Sequence, residues 1–349
     1  MVDWNSAARL GYPAKLGQST MQRRDFVALL ASAGVAWALA ARAQAPARLP
    51  RVGVLAGIAN DADGQVRIKA FQRRLGELGW AERNNIETDI VWTSGEPDRV
   101  RSGAAELLAR SPDVLVSAGL PTTVALRQKT QSIPIVFLVV PDPVDHGFAT
   151  NLAQPEGNLT GFTNFDTLIG GKWFEILKQI APHVERIGLM FDPQLFPRGR
   201  REIPSIAAAA GASGGRLTSL AVHGAADIEK SIADLSREPN SGLIVLSDNT
   251  VVRHRELITS LAAAHGLPAI YPYRYFATCG GLVSYGMDTI DLYARAAQYV
   301  DRILRGAKVA ELPIQHPTKF ELVINLKAAR ALGLDVSPIL IAGASEVFE

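Results

Sequence analysis

One stretch of the chain spells a nucleophile motif: Gly211-Ala212-Ser213-Gly214-Gly215 matches G-x-S-x-G in letters. A nucleophile elbow needs a strand before it and a helix after it. Here the pattern of apolar residues predicts the reverse, a helix ending and a strand beginning, so the segment reads as a glycine-rich helix stop. Neither G-x-G-x-x-G nor G-x-x-x-x-G-K-[ST] occurs, and dinucleotide and nucleotide phosphates therefore lack their usual glycine cradle. The six histidines form no metal signature. His254 and His265 fall on one expected helix but eleven residues apart, which is no ligand spacing. His146 follows Asp142 and Asp145 in the crossover, where a proton-transfer role is conceivable, but hydrogen bonding within the hinge is the expected one. No metal and no cofactor are expected.

The remaining polar candidates suit binding better than catalysis. Asp142, in Asp142-Pro143-Val144, follows an apolar run and can either close its own turn through an Asx hydrogen bond or meet a ligand. Asp248 and Asn249 are placed similarly: a carboxylate there either caps the next helix or pairs with a ligand ammonium in a desolvated cleft. Tyr271-Pro272-Tyr273-Arg274-Tyr275-Phe276 gathers rings and one guanidinium, which could line a stacking pocket with Arg274 near a carboxylate. The single cysteine, Cys279, has no partner for a disulfide and reads as a small core residue.

The elements that must position these residues alternate. Apolar runs at 51–56, 86–92, 113–117 and 135–140 read as strands. Between them lie amphipathic helices, the first showing Val66, Phe71, Leu75 and Leu78 on one face, the next spanning 97–110, and another with Pro121 in its first turn. Four such alternations predict a parallel sheet covered on both faces. Residues 141–166, rich in Gly, Pro, Asn and Asp and without helical or strand period, read as a crossover and hinge. The pattern then repeats: helices at 172–180, 203–210, 227–235 with Asp227 as N-cap, and 255–265. Strands are expected at 186–191, 217–222, 243–246 and 269–271. A long helix, 288–305, precedes a tail with one strand, 320–326, and a short helix. The expected fold is α/β, two doubly wound parallel-sheet lobes joined by a hinge. Ligands of such sheets bind outside the carboxyl ends of the strands, which selects loops at 57–61, 118–122, 141–145, 191–193, 247–250 and 271–275, with His223.

At 349 residues, with 48% hydrophobic and 20% charged residues, the chain can bury two cores. A formal net charge of +2 gives no basic field, and no cluster of Lys and Arg interleaves with aromatics, so nucleic acid is not an expected partner. Near the start, Met21-Gln22-Arg23-Arg24-Asp25-Phe26 leads into an apolar run and then Ala41-Arg42-Ala43. This reads as an export signal of twin-arginine type, cleaved near Ala43, with Met21 able to begin the protein and residues 1–20 an over-called start. The apolar run is short for a membrane span of ~20 residues.

Several motifs together resemble one family. They are Ile133-Pro134-Ile135-Val136-Phe137 with Asp142-Pro143-Val144, the turn Pro155-Glu156-Gly157-Asn158-Leu159-Thr160-Gly161, Gly280-Gly281-Leu282-Val283-Ser284-Tyr285-Gly286, and the segment from Gln315-His316-Pro317 to Ile324-Asn325. From Arg51 onward the chain resembles the ABC transporter substrate-binding proteins associated with tryptophan and tyrosine uptake. The resemblance implies a class I periplasmic binding fold with lobe 1 at 50–160 plus 288–313 and lobe 2 at 161–287 plus 317–349. It implies a monomer in the periplasm that performs no catalysis, captures a small solute, for instance an amino acid or related carboxylate, and delivers it to an inner-membrane ABC permease. A ligand-sensing periplasmic module of the same fold is the alternative. The expected ligand contacts are Ile58, Ala59, Gly119, Pro121, Thr122, Asp142, Asp248, Asn249, Tyr273 and Arg274. Amides near Gly119 to Thr122 would meet a carboxylate, and Asp248 or Asp142 an ammonium.

Overall fold

A computed structural model describes residues 48–164, 168–195 and 201–349. The expected over-called start, residues 1–20, and the export signal, at 21–43, lie outside the described residues. The first sheet is built by β1 (Arg51–Ala56), α1 (Ala62–Glu77), β2 (Glu87–Trp92), α2 (Pro97–Ala109), β3 (Val114–Ala118), α3 (Leu120–Lys129), β4 (Ile135–Val140) and β5 (Leu159–Thr163). Its strand order is β2-β1-β3-β4-β5, every pair parallel. The near-continuous apolar runs of β1, β3 and β4 follow from burial on both faces, where no alternation can survive. Asp61 caps α1 by accepting from the Gly64 amide at 2.8 Å, and Gly79, at φ +96°, ends it as only a residue without Cβ does easily.

Two readings of this half need correction. The segment at 141–166 is not all crossover: it contains β5, buried at all five positions. Five residues with a glycine at their centre carry no period, yet they pair parallel with β4 along its length. Gly161 holds φ +149°, and a Cβ there would lie 2.0 Å from the Phe137 carbonyl oxygen. The expected face of α1 holds at Phe71 and Leu75 but not at Val66. Val66 is 47% exposed, while Arg67, at 8%, points inward with Ile68, Phe71 and Leu75.

The second sheet comprises α4 (Ile169–Ile180), β6 (Arg186–Phe191), α5 (Ile203–Ala212), β7 (Arg216–Ala221), α6 (Ala225–Ser236), β8 (Ser241–Val245), α7 (Asn249–Arg253), α8 (Arg255–Ala264), β9 (Ala269–Tyr271), α9 (Arg274–Thr278) and β10 (Val283–Met287). The chain then forms α10 (Thr289–Leu304), β11 (Phe320–Asn325), α11 (Leu326–Ala331), α12 (Pro338–Ala342) and β12 (Glu346–Phe348). The order is β12-β11-β10-β9-β8-β6-β7, parallel except where β11 runs antiparallel to β10. Trp173 of α4 anchors this half, fully buried and donating from Nε1 to the Tyr285 carbonyl at 2.6 Å. The tail carries a second strand and a second helix beyond the expected pair, since three- and five-residue elements are too short to show a period. Gly224, not Asp227, precedes the first turn of α6; Asp227 lies inside that turn and accepts from the His223 amide at 2.9 Å. Residues 211–215 do stop a helix ahead of a strand.

Long α10 leaves the second sheet and packs on α1 and against β3, β4 and β5. Trp80 fixes it by donating to Asp301 at 2.8 Å. Among the described residues the chain passes between the sheets three times: after β5, at Asp288, and through residues 312–319. The passes are tied together. Gln315 donates to Gly161 and accepts from Thr163, each at 3.0 Å, and the Asp288 amide donates to Lys319 at 3.0 Å.

Because a Cβ at residue 161 collides with backbone rather than with a flexible side chain, Gly161→Ala should lower the unfolding free energy by ~2 kcal/mol or more. Equilibrium denaturation in urea checks this; an unchanged midpoint would show that β4 and β5 can move apart freely.

Candidate functional site

The loops after β1, β3 and β4 face those after β8 and β9 across a cavity of about 610 Å³, including its open mouth. Closely approaching backbones shape the first wall. Gly57 donates to the Ala118 carbonyl at 3.1 Å, and a Cβ on Gly57 would lie 2.3 Å from that same oxygen. Gly119 holds φ +107° just before α3. Beside them Val139 lines the cavity at φ +59°, where the β4–β5 register shifts. A β-branched residue in that region is strained, and a bulge at a sheet edge commonly re-aims a side chain next to a site.

Of the ten expected contacts, Ile58, Gly119, Asp248, Asn249 and Tyr273 line this cavity. Ala59 borders the adjoining space beside Asp61 and Arg255. Pro121 and Thr122 do not border it: the Thr122 hydroxyl is buried behind the wall, 3.0 Å from Ser117 Oγ and donating to the Gly119 carbonyl at 2.8 Å. Asp142, at φ +41°, turns away to lie 3.4 Å from the Arg201 guanidinium. Arg274 turns to the tail and makes a bidentate pair with Glu346 at 2.6 and 2.8 Å. Asp248 resolves its two readings in favour of capping while still facing the cavity. Its Oδ1 accepts from Val251 N at 2.9 Å and its Oδ2 from Asp192 N at 3.0 Å. Tyr273 hydrogen-bonds Ser247.

Arg67 and Tyr293 of the wall escaped the sequence reading, while Tyr275 belongs to the ring cluster at 271–276 that it marked for a stacking pocket. Tyr275 is the centre of a stack. The Arg67 guanidinium carbon lies 4.6 Å from its ring centroid and that of Arg255 5.8 Å, while the Tyr273 ring stacks at 5.1 Å. Tyr293, on α10, is 1% exposed, and its hydroxyl finds no hydrogen-bond partner among the described residues. The available signal for Arg67 was its spacing of four and eight residues from Phe71 and Leu75. Cys279 ends α9 half-buried beside Arg255 rather than inside the core. His254 joins α7 to α8, and His265 ends α8.

Ion pairs cross the cavity's rim with one polarity. Arg255 reaches Asp61 at 2.5 Å, Arg201 reaches Asp145 at 2.6 Å, Arg253 approaches Glu96 at 3.6 Å and Arg274 approaches Asp63 at 4.0 Å. The guanidinium always comes from the side of the second sheet, the carboxylate from the first. Asn249 adds a neutral contact, its amide packed against Gly95 and Gly119 so that a Cβ on either would lie 3.6 or 3.5 Å from Nδ2.

Near the crossover, burial pushes the Glu321 carboxyl up to about 7, with Asp288 adding to the shift and Arg274 opposing it. The folded protein therefore holds this proton more tightly than the unfolded chain. The stability it contributes is complete below about pH 4.5 and is lost as the pH rises through about 7.

Two α/β lobes on tied crossovers, with a cavity walled by both at the strands' carboxyl ends, define a hinged solute-binding protein of class I periplasmic-binding architecture. Residues 51–348 match the family model described as ABC transporter substrate binding protein. The chain belongs to that family. The Tyrosine-binding protein of Clostridioides difficile is 22% identical over 266 residues, 76% of each chain. Two solved structures are similar over 86% of this chain and 100% of their own. One is the ABC domain in complex with L-Trp from Streptococcus pneumoniae, 22% identical with a TM-score of 0.77; the other is a conserved domain protein from Vibrio cholerae O1 biovar El Tor, 27% identical with a TM-score of 0.76.

Arg255→Gln should release one clasp, worth about 1 kcal/mol at a partly exposed pair, and increase the radius of gyration of the ligand-free protein in small-angle scattering; the same radius at low salt would exclude a role in closure. Glu321→Gln should flatten the dependence of melting temperature on pH between 5 and 8, so that the variant gains on the native protein as the pH rises.

Proposed function

We propose that this protein is the periplasmic solute-binding component of an ABC importer, taking up an amino acid or related carboxylate and passing it to an inner-membrane permease. The observation that carries the reading is the cavity itself: its walls come from both lobes, so a bound solute contacts both and favours the closed arrangement by its differential affinity. An aromatic amino acid is the best-supported ligand. Tyrosine and L-Trp stand in the names of two relatives, and the rings of Tyr273, Tyr275 and Tyr293 border the cavity. Export through residues 21–43 places the protein in the periplasm, where it acts as a monomer and catalyses nothing. Ile58, Gly119, Asp248, Asn249 and Tyr273 touch the solute, with Asn249 joining the lobes over it.

Isothermal titration with the twenty amino acids, backed by small-angle scattering, tests the reading. L-Tyrosine or L-tryptophan should bind and compact the protein, and at ~100 times its dissociation constant should add ~2.7 kcal/mol of stability. Asn249→Ala should weaken that binding roughly tenfold. An absence of heat and of compaction across all twenty would end the amino-acid reading.

A further inference from the structure

Arg67 is a cation without an anion. It is 8% exposed, lines both the main cavity and the adjoining space, and makes no hydrogen bond or ion pair among the described residues. Its one specific contact is the face of Tyr275, which attracts a guanidinium but offers no acceptor to its N–H groups. The neighbouring Arg255 differs, since Asp61 neutralises it at 2.5 Å. Glu321 does not serve Arg67 in the same way, because burial leaves its carboxyl with a pKa of about 7 and so short of a full charge at neutrality. On the same wall the buried Tyr293 hydroxyl is also unpartnered. Arg67 disfavours protonation of that hydroxyl, which places the guanidinium charge within electrostatic reach of it.

Buried donors are normally satisfied, and an orphan at a cavity marks a place where something else supplies the acceptor. Here two groups border the same cavity: the Tyr293 phenol, buried with no partner, and the Arg67 guanidinium, which lines the space without an acceptor for its donors. The wall around them mixes apolar side chains, Ile58, Val139, Pro141 and Val252, with the polar Asp248, Asn249 and Thr289. A planar oxyanion fits a guanidinium through two parallel hydrogen bonds. One uncompensated positive charge matches one negative charge, which favours a carboxylate over a phosphate dianion.

We infer that Arg67 and Tyr293 form the anion subsite of the cleft, which selects a monocarboxylate carried on an apolar or aromatic body. This inference rests on the solute-capture reading. It moves the carboxylate from the start of α3, where Thr122 is turned behind the wall, to the face of α1 and α10. Asp248, already accepting two backbone amides, is then left to orient the opposite end of the solute.

Matched probes separate the charge from the body. The native protein, Arg67→Met, Arg67→Lys and Tyr293→Phe would be titrated with L-tryptophan, indole-3-propionate, L-tryptophanamide and tryptamine, and with the tyrosine counterparts of each. Inorganic phosphate serves as the dianion control. The native protein should bind the two acids roughly 100-fold more tightly than the amide and amine and should ignore phosphate. Arg67→Met should erase that preference, Arg67→Lys should restore part of it, and Tyr293→Phe should weaken the acids roughly tenfold while leaving the neutral probes unchanged. Amide or amine binding equal to the acids, or an undiminished preference in Arg67→Met, overturns the inference while leaving solute capture intact.

If no probe binds the native protein, the ligand reading fails, and the ligand-free melting temperature decides the role of Arg67 by itself. A methionine keeps the packing of the side chain and removes the buried charge. A melting temperature equal to the native value or a few degrees higher supports a group kept for binding at a cost in stability. A fall of several degrees would show that Arg67 serves the fold through Tyr275, and would overturn the inference.

Discussion

Backbone hydrogen bonds among the chain passes that join the two sheets set what this molecule can do. The segment at 314–316 lies along β5, taking the Thr163 amide and giving its own to Gly161, while the Thr163 hydroxyl meets His316 Nδ1 at 2.9 Å. The passes therefore bend together. One apolar cluster runs through both lobes, joining Val54 and Phe71 of the first to Trp173 and Ile187 of the second, while another covers the far face of the first sheet. A hinge of this kind absorbs a change of a few dihedral angles while both packed bodies stay intact.

Across the rim, charges of opposite sign meet, with arginines on the second lobe and carboxylates on the first. Pairs this exposed contribute about 0–1 kcal/mol each, so together they bias closure without locking it. A solute that touches both walls can then tip the balance. With every arginine on one rim, a slip still sets opposite charges together, so the polarity draws the lobes together and leaves the register to shape. Asn249 fits that register at a place where the opposite wall has only glycine.

The interior of the cleft follows another rule. Its walls mix apolar and aromatic side chains with the polar Asp248, Asn249 and Thr289, and Arg67 and the buried Tyr293 hydroxyl there are donors without an acceptor. Asp248 is the nearest acidic group on the lining, yet its carboxylate is already engaged by the backbone of α7 and of the loop after β6. The carboxylate that sequence spacing marked as a candidate ligand contact thus builds the wall, and a guanidinium that sequence spacing passed over faces the space.

Strand and helix order, the two-lobed α/β class and the loops at strand ends were legible in the sequence, because burial on both faces of a parallel sheet leaves continuous apolar runs that local chemistry alone can display. What the tertiary structure alone decided was everything set by partners distant in sequence. β5 has no period of its own and exists because β4 and residue 315 flank it. Arg67 was overlooked because Val66 is the more apolar of two adjacent residues on α1, and only the packing of α10 and Tyr275 shows which of them turns inward. Arg274 and Asp142 carried the right chemistry at the right strand ends, but Glu346 and Arg201 lie 72 and 59 positions away in the chain. Hydropathy and spacing record what a residue can do; which neighbour satisfies it is a property of the folded chain.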